Sequence, residues 1–388
     1  MRKLENNTDE TADWPGYHIV QMVDTACPGD PVTDYALGFQ KVLRKVGYET
    51  VIFALNILPG VRPEDFRPIK GSEKIRPKKE DILLYHFSQN SKVNPDYVKF
   101  DSRRVLVWHG AMPGKFCASY DPMRAASQDR MLREVSWLLP YTEAVIADSD
   151  GAARQIREMG FSGPVHVIPQ EIPYNRFDPE ESGPLPAADA DKTLFLAVGD
   201  ILPERRIGEL INCFAVYHET YNRNSRLILP GRCIEASPYY LRLRDYEEQL
   251  KMEPGSVFFA GKLSDRDLLP YYLHASAYLD MSEYETFSIP LAAAMFLQLP
   301  ALCVANDAAR QLLGDDALFL PTDPLLAAGL MDRVVRDTSL KNELIIGAKD
   351  RLGKFTAAAG RETFVRIMSQ MVGEGKVFMT MMKKKAEV

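Results

Sequence analysis

The stretch 282–291, SEYETFSIPL, brings together residue types that could do chemistry. It follows an apolar segment that predicts a strand, places Glu285 in a turn, and puts Pro290 in the first turn of a predicted helix. The hydroxyls of Thr286 and Ser288 and the free N–H groups of the helix start favour anion binding. A carboxylate beside an anion site suits a ligand with phosphate and hydroxyl groups, such as a nucleotide sugar. A plain strand–turn–helix with a solvated glutamate remains the alternative.

A second candidate site lies in the stretch 198–214, VGDILPERRIGELINCF. Arg205 and Arg206 stand at the start of a predicted helix, and paired arginines can hold phosphate bidentately. Alternatively, Arg206 pairs with Glu209 on the exposed helix surface, because residues three apart are neighbours there.

Two candidates lie in the first half of the chain. His109 follows a predicted strand, where it could orient or deprotonate a hydroxyl, or merely cap the strand end. Gly29 and Asp30 lie in a loop after the first predicted strand, where glycine allows close approach of a ligand. An ordinary surface turn would have the same sequence. We find no spacing of His, Asp and Glu that indicates a metal site.

Short apolar segments that predict strands alternate with amphipathic segments that predict helices. The predicted strands are 18–24, 50–55, 82–87, 104–109, 144–149, 165–169, 193–199, 226–231, 257–261, 277–282 and 300–304. The predicted helices are 35–46, 124–139, 150–159, 206–222, 238–250 and 264–275, with another from about 289. This alternation predicts an α/β protein with doubly wound, Rossmann-like parallel sheets.

The length of 388 residues, at about 150 residues per domain, favours two domains. We predict an N-terminal domain over 1–176, a linker over 177–192, a C-terminal domain over 193–355 and a helical extension over 356–388. Ligands of such folds bind at the carboxyl ends of the strands, which places the site in a cleft. Neither a G-x-G-x-x-G nor a P-loop sequence is present.

Composition excludes some functions and indicates a compartment. With 47 basic and 53 acidic residues the net charge is −6, which disfavours nucleic-acid binding. The five cysteines are widely spaced, and the N-terminus lacks an apolar signal region, so we expect a cytoplasmic protein. The segment 377–388 combines apolar residues with Lys383, Lys384 and Lys385. It could rest on the inner face of an anionic membrane, or dock as a helix on the protein.

These segments together resemble the GT-B glycosyltransferases of family 4, of the type that builds bacterial cell-surface polysaccharides. The resemblance rests on PGDPVTDYALGFQKVLRKVGYETVIFA, VLVWHGAMPGKFCASYDP, FLAVGDILPERRIGELINCFAVY and VFFAGKLSDRDLLPYYLHASAYLDMSEYETFSIPL, among others. It implies a retaining, metal-independent transfer from a nucleotide-sugar donor, with no bound cofactor. It also implies Glu285 and His109 as catalytic residues and Gly29 and Asp30 on the acceptor side. The donor residues it implies are Gly199, Arg205, Arg206, Thr286, Phe287, Ser288 and Ile289.

The chain departs from this family pattern on the donor side. Asp200 stands where the family has an arginine for the diphosphate, and Ala293 where it has a glutamate for the nucleotide ribose. Arg310 and Gln311 stand where Pro-Glu is common. Arg206 could replace the missing arginine, which would keep the enzyme active.

We therefore expect a transferase that acts on a polysaccharide or lipid-linked acceptor. The alternative is a catalytically inactive subunit that acts as the partner of an active glycosyltransferase, as a scaffold, or as a glycan-binding module. An epimerase or phosphorylase with the same fold is a third interpretation, which no residue favours.

Overall fold

The computed structural model describes residues 18–28, 30–69, 79–169, 172, 174–355 and 357–372. The strands are β1 His18–Ala26, β2 Glu49–Ile57, β3 Phe66–Pro68, β4 Ile82–His86, β5 Arg103–Trp108, β6 Ala144–Ala147, β7 Val165–Val167, β8 Thr193–Leu196, β9 Ser225–Pro230, β10 Val257–Gly261, β11 Ala277–Asp280 and β12 Ala301–Cys303. The helices are α1 Pro31–Lys45, α2 Val93–Lys99, α3 Pro122–Leu138, α4 Asp150–Glu158, α5 Ile207–Thr220, α6 Pro238–Gln249, α7 Asp265–His274, α8 Ile289–Phe296, α9 Asp307–Leu313, α10 Pro324–Arg336, α11 Thr338–Leu352 and α12 Ala357–Val372.

These elements form two parallel sheets with helices, so the predicted α/β class is confirmed. One sheet has the strand order β3-β2-β1-β4-β5-β6-β7, and the other has the order β10-β9-β8-β11-β12. In the second sheet β8 lies between β9 and β11, with Phe195 opposite Leu227 on one side and Ala277 on the other. The carboxyl ends of these three strands therefore lie next to each other.

The second sheet is covered on both faces, because successive side chains of a strand point to opposite sides. Leu194 and Leu196 of β8 belong to one buried cluster, with residues of α7, α8 and α11. Phe195 belongs to another, with residues of α5 and α10. Burial on both faces explains the continuous apolar sequence of these strands.

The described residues divide into two compact units. The first unit contains those within Met1–Val107, Tyr141–Ala144 and Thr363–Val388. The second unit contains those within Trp108–Pro140 and Val145–Glu362. The predicted linker over 177–192 lies in the second unit and contains only short 3₁₀ turns. Its Asp189 is nevertheless 1% exposed and pairs with Arg226 at 2.6 Å. In the part of the chain that the structure describes, no helix is long and apolar enough to cross a membrane.

A strand is present at every predicted position, and each predicted helix is present within a few residues of its predicted ends. The patterns missed β3 and α2, which are short, and also α9, α10 and α11. Three residues are too few for strand alternation to be read, and α2 carries Pro95 within its seven residues. The helix α12 lies in the predicted extension, whereas 373–388, including the basic residues 383–385, lie outside the described residues.

Candidate functional site

A polar cavity lies within the second unit, at the carboxyl ends of β8 and β11. It has a volume of about 280 Å³. The residues that line it are Gly110, Ala111, Met112, Asp200, Leu202, Glu204, Arg205, Tyr284, Glu285 and Thr286. Ligands of open α/β sheets bind at this position. Three residues proposed from the sequence, Arg205, Glu285 and Thr286, are therefore brought together.

Arg205 and Glu285 form an ion pair in the wall of this cavity. Nη2 of Arg205 lies 3.1 Å from Oε2 of Glu285, and the two side chains are 18% and 21% exposed. Nη1 also donates to the carbonyl of Val198 at 3.3 Å. The guanidinium lies over Gly199, where a Cβ atom would come within 2.3 Å of Arg205 Cζ. Gly199 also has a φ of +149°, which favours glycine. Both the lack of space for a Cβ atom and the backbone conformation therefore explain why glycine occupies this position.

Glu285 titrates close to neutral pH in this environment. Burial raises its pKa to about 7, although the charge of Arg205 acts in the opposite direction and nearby carboxylates, first Asp280, act to raise it. Burial likewise acts to lower the pKa of Arg205, but the negative charges of Glu285 and Asp280 outweigh it and the pKa is raised. Arg205 therefore stays cationic while Glu285 can be neutral or charged, as is common for groups in functional sites.

Asp200, which departs from the family pattern, is paired with Arg232. Its carboxylate accepts hydrogen bonds from Arg232 Nε at 3.1 and 3.2 Å, from Nη2 at 2.7 Å, and from the backbone N–H at 3.1 Å. Partial burial acts to raise the pKa of Asp200, but the hydrogen bonds and charge of Arg232 outweigh it and lower the pKa. Sequence reasoning missed Arg232. The signal was its position just after β9, the strand beside β8.

A second carboxylate in the wall, Glu204, is paired with Arg124 of α3. Two hydrogen bonds, of 3.0 and 2.5 Å, join the guanidinium to the carboxylate, and Glu204 is only 10% exposed. Sequence reasoning did not identify this pair, because the two residues lie far apart in the chain. Every carboxylate that lines the cavity thus has an arginine partner.

His109 lies just before the cavity residues of the loop after β5. Its Nδ1 is 3.1 Å from Oδ2 of Asp148, and the two side chains are 15% and 3% exposed. This contact holds the imidazole ring of His109 in one orientation. The next residue, Gly110, has a φ of +77°, and a Cβ there would lie 2.7 Å from Thr286 Cγ2. The loop that carries His109 therefore touches the loop that carries Glu285.

Tyr284 and Gln155 fix the loop after His109. The Tyr284 hydroxyl donates to the carbonyl of Ala111 at 2.9 Å. Gln155 donates to the same carbonyl at 2.6 Å and accepts from the N–H of Ala111 at 3.0 Å and from Trp108 Nε1 at 3.2 Å. Such a network holds a site in one geometry. These positioning residues carry no sequence signal beyond their polar type.

The structure places Arg206 outside this cavity. Arg206 has a left-handed φ of +52°, and its Nε lies 3.3 Å from Oε1 of Glu209, which is the helix-surface pairing considered above. Ala293, which stands where the resemblance leads one to expect a glutamate for the nucleotide ribose, is completely buried in α8. Gln311 is also buried and accepts from the N–H of Asp150 at 3.2 Å.

The remaining predicted residues that the structure describes do not line this cavity. Ser288 is 1% exposed and caps α8 by accepting from the N–H of Leu291 at 3.3 Å, while Phe287 is buried and Ile289 begins the helix. Asp30, in the first unit, caps α1 through the N–H of Thr33 at 2.9 Å. Gly29 lies outside the described residues.

Among the residues that the structure describes, no cluster of three or more His, Cys, Asp or Glu side chains is arranged to hold a metal ion.

Comparisons with known proteins identify what the chain resembles. Residues 180–351 match the family described as Glycosyl transferases group 1. No curated protein matches the sequence.

Among solved structures, sucrose-phosphate synthase from Thermosynechococcus elongatus is 16% identical with a TM-score of 0.65, over 92% of this chain and 99% of that chain. Anabaena HepE, in complex with UDP and glucose, is 14% identical with a TM-score of 0.64, over 91% and 100%. An α,α-trehalose-phosphate synthase (UDP-forming) from Burkholderia vietnamiensis is 12% identical with a TM-score of 0.67, over 93% and 98%. At these identities the likeness establishes the fold, which is GT-B.

Proposed function

We propose that the chain is a retaining glycosyltransferase that moves a sugar from a nucleotide-sugar donor to a glycan or lipid-linked acceptor. The observation that carries the proposal is the pair of Arg205 and Glu285 in the cavity at the carboxyl ends of β8 and β11. A cation and a titratable carboxylate in one wall can serve a phosphate leaving group and a sugar hydroxyl together. The family match over 180–351 and the UDP bound to Anabaena HepE support a UDP-sugar as the first donor to test.

Each residue has a separate role in this proposal. The bond between the anomeric carbon and the phosphate oxygen breaks, and the acceptor hydroxyl oxygen bonds to that carbon on the face that the diphosphate leaves. The hydroxyl proton passes to the departing phosphate oxygen, so the configuration at the anomeric carbon is retained. Arg205 stabilises the negative charge that develops on the leaving diphosphate. Glu285 orients a hydroxyl of the donor sugar, and His109, which Asp148 holds next to the loop that lines the cavity, orients the acceptor. Arg206 receives no role, because it would have to leave Glu209 to reach the donor.

Calorimetry with UDP-, GDP-, ADP- and TDP-sugars tests the proposal. We expect one donor class to bind, and Arg205→Gln to weaken that binding by about tenfold to a hundredfold, as the loss of a charge-assisted hydrogen bond implies. Arg242→Gln, at an exposed position of α6, is the matched control and should leave binding unchanged. Absence of binding by any donor at millimolar concentration would exclude a nucleotide-sugar transferase. Activity that survives excess chelator would agree with the metal independence we propose, and its loss would contradict it.

An inactive subunit is the second candidate, and Ala293 is the observation that favours it. This side chain is completely buried and offers no polar atom to a ribose. If the chain is inactive, donor binding should appear only after Asp200→Arg and Ala293→Glu, and the unaltered chain should co-purify with an active transferase. Donor binding by the unaltered chain would exclude this candidate.

A cytoplasmic location at the membrane is part of the proposal for a lipid-linked acceptor. Lys383, Lys384 and Lys385 would supply attraction to anionic headgroups. Co-sedimentation with vesicles that contain phosphatidylglycerol tests this role. The triple Lys→Gln variant should lose binding to these vesicles, and equal binding of both proteins would refute membrane contact through this segment.

A further inference from the structure

We propose that Arg232 is a second arginine for the diphosphate of the donor, and that Asp200 positions it. The inference rests on the proposed function, since it assigns a further residue to the same site. Neither the helix-start arginines nor the family pattern points to Arg232.

Arg232 is held beside the cavity by its backbone. It follows β9, and the chain after β9 continues to pair with the chain after β8. The N–H of Gly199 donates to the carbonyl of Pro230 at 2.9 Å, and the N–H of Ile201 donates to the carbonyl of Arg232 at 2.9 Å. Gly231 allows this close approach, because a Cβ there would lie 1.9 Å from the carbonyl oxygen of Gly199. The position of Arg232 relative to Asp200 is therefore set by main-chain contacts.

The ion pair with Asp200 does not use all the donors of Arg232. A guanidinium has five N–H groups, and Asp200 accepts from the Nε group and from one on Nη2. Among the residues that the structure describes, neither the second Nη2 group nor the two on Nη1 donates to another side chain or carbonyl. Arg232 can thus bind an anion while Asp200 still holds it. Its side chain is 73% exposed, so an entering ligand can reach it.

Asp200 lies in the field of two arginines, and this arrangement suits a diphosphate. The positive charges of Arg232 and of Arg205 both act to lower its pKa. Asp200 lines the cavity, so both cations lie near a residue of the cavity wall. A diphosphate carries two anionic groups and can engage both arginines, whereas a single phosphate needs only one. Asp200 then serves as the anchor of Arg232 rather than as a simple repulsive charge.

Titration of the full chain with inorganic pyrophosphate, orthophosphate and UDP-glucose at one pH tests the inference. We expect Arg232→Gln to weaken pyrophosphate and UDP-glucose binding about three- to tenfold, a modest effect because the side chain is exposed. Orthophosphate binding should change less than about twofold. Arg242→Gln is again the matched control. Since Arg232 lies at the surface, an unchanged melting temperature checks that the variant folds.

A double-mutant cycle tests the positioning role of Asp200. In the Asp200→Asn background, Arg232→Gln should change pyrophosphate binding by less than about twofold, because Arg232 is no longer held. The full effect in that background would overturn the positioning role. Unaltered pyrophosphate binding by Arg232→Gln, or no binding by the unaltered chain, would overturn the inference as a whole. Arg232-dependent pyrophosphate binding without binding or transfer of any nucleotide sugar would instead refute only the proposed function.

Discussion

Replacing Glu285 by glutamine should stabilise the protein at high pH. The pKa of this carboxyl rises from an ordinary value of 4.5 to about 7. Between these values the folded protein binds a proton that the unfolded chain does not, so the free energy of unfolding falls as pH increases. The contribution is complete below pH 4.5 and lost above pH 7. At about 1.36 kcal/mol for each tenfold change in the proton equilibrium, the loss is about 3 kcal/mol.

Glutamine has the shape of the protonated carboxyl and does not titrate. The free energy of unfolding of Glu285→Gln should therefore equal that of the unaltered chain near pH 4.5 and exceed it by about 3 kcal/mol at pH 8. Urea unfolding followed by tryptophan fluorescence at pH 5, 6, 7 and 8 measures the difference. Glu283→Gln makes the same substitution at an exposed carboxylate two residues away and serves as the control.

Two results would refute this reasoning. One is a variant that is less stable than the unaltered chain at pH 8, which would mean that the pair with Arg205 outweighs the burial of the carboxylate. The other is a difference between the two proteins that does not change with pH. An equal gain from Glu283→Gln would show that the effect comes from net charge.

The other predictions concern the backbone, the segment before β8, and ligand binding. Gly231→Ala should lower the free energy of unfolding by about 3 kcal/mol, because the added Cβ collides with a carbonyl, whereas Gly347→Ala in α11 should raise it by about 0.5–1 kcal/mol. Arg226→Leu should cost about 3 kcal/mol, because it leaves Asp189 buried without its cation, and adding Asp189→Asn should recover part of the loss. Urea unfolding measures all four variants, and equal stabilities within either pair would contradict the argument. UDP-glucose should bind more weakly as pH rises through 7, since ionised Glu285 competes for the arginine beside it. Calorimetry should find no such dependence in Glu285→Gln.

Most strands and helices could be predicted from the sequence, because the apolar pattern of each one is visible within a few consecutive residues. Helix starts such as that of α8 combine a capping Ser288 with Pro290, and both features can be recognised in the sequence. The helix α10 has the same kind of start, Asp323 followed by Pro324, and a search for caps alone would have found it. Elements without a cap or a period, such as β3, form because neighbouring strands offer hydrogen-bond partners. They therefore could not be predicted from their own residues.

The sequence pointed to the residues of the candidate site that follow strands, but not to the side chains that pair with them. Arg205 and Glu285 follow strands, and position in the sequence was enough to find them. The partners of Glu204 and His109, which are Arg124 and Asp148, depend on how distant segments pack. No local pattern records that packing. Arg206 differs from these residues, because its partner is close in the sequence. It pairs with Glu209, three residues on, although the family resemblance suggested that it binds the donor.

The charge at position 200 cannot be evaluated without the neighbouring strand. Asp200 alone would oppose a diphosphate, yet Arg232 on the next strand end neutralises it, as Arg205 does for Glu285 and Arg124 does for Glu204. The cavity wall is therefore neutral when Glu285 is ionised and carries one net positive charge when Glu285 is protonated. An anion such as a diphosphate favours the protonated state, so we expect its affinity to follow the protonation of Glu285. A departure from a family pattern at one position is thus weak evidence for lost activity when an adjacent parallel strand can supply the missing cation.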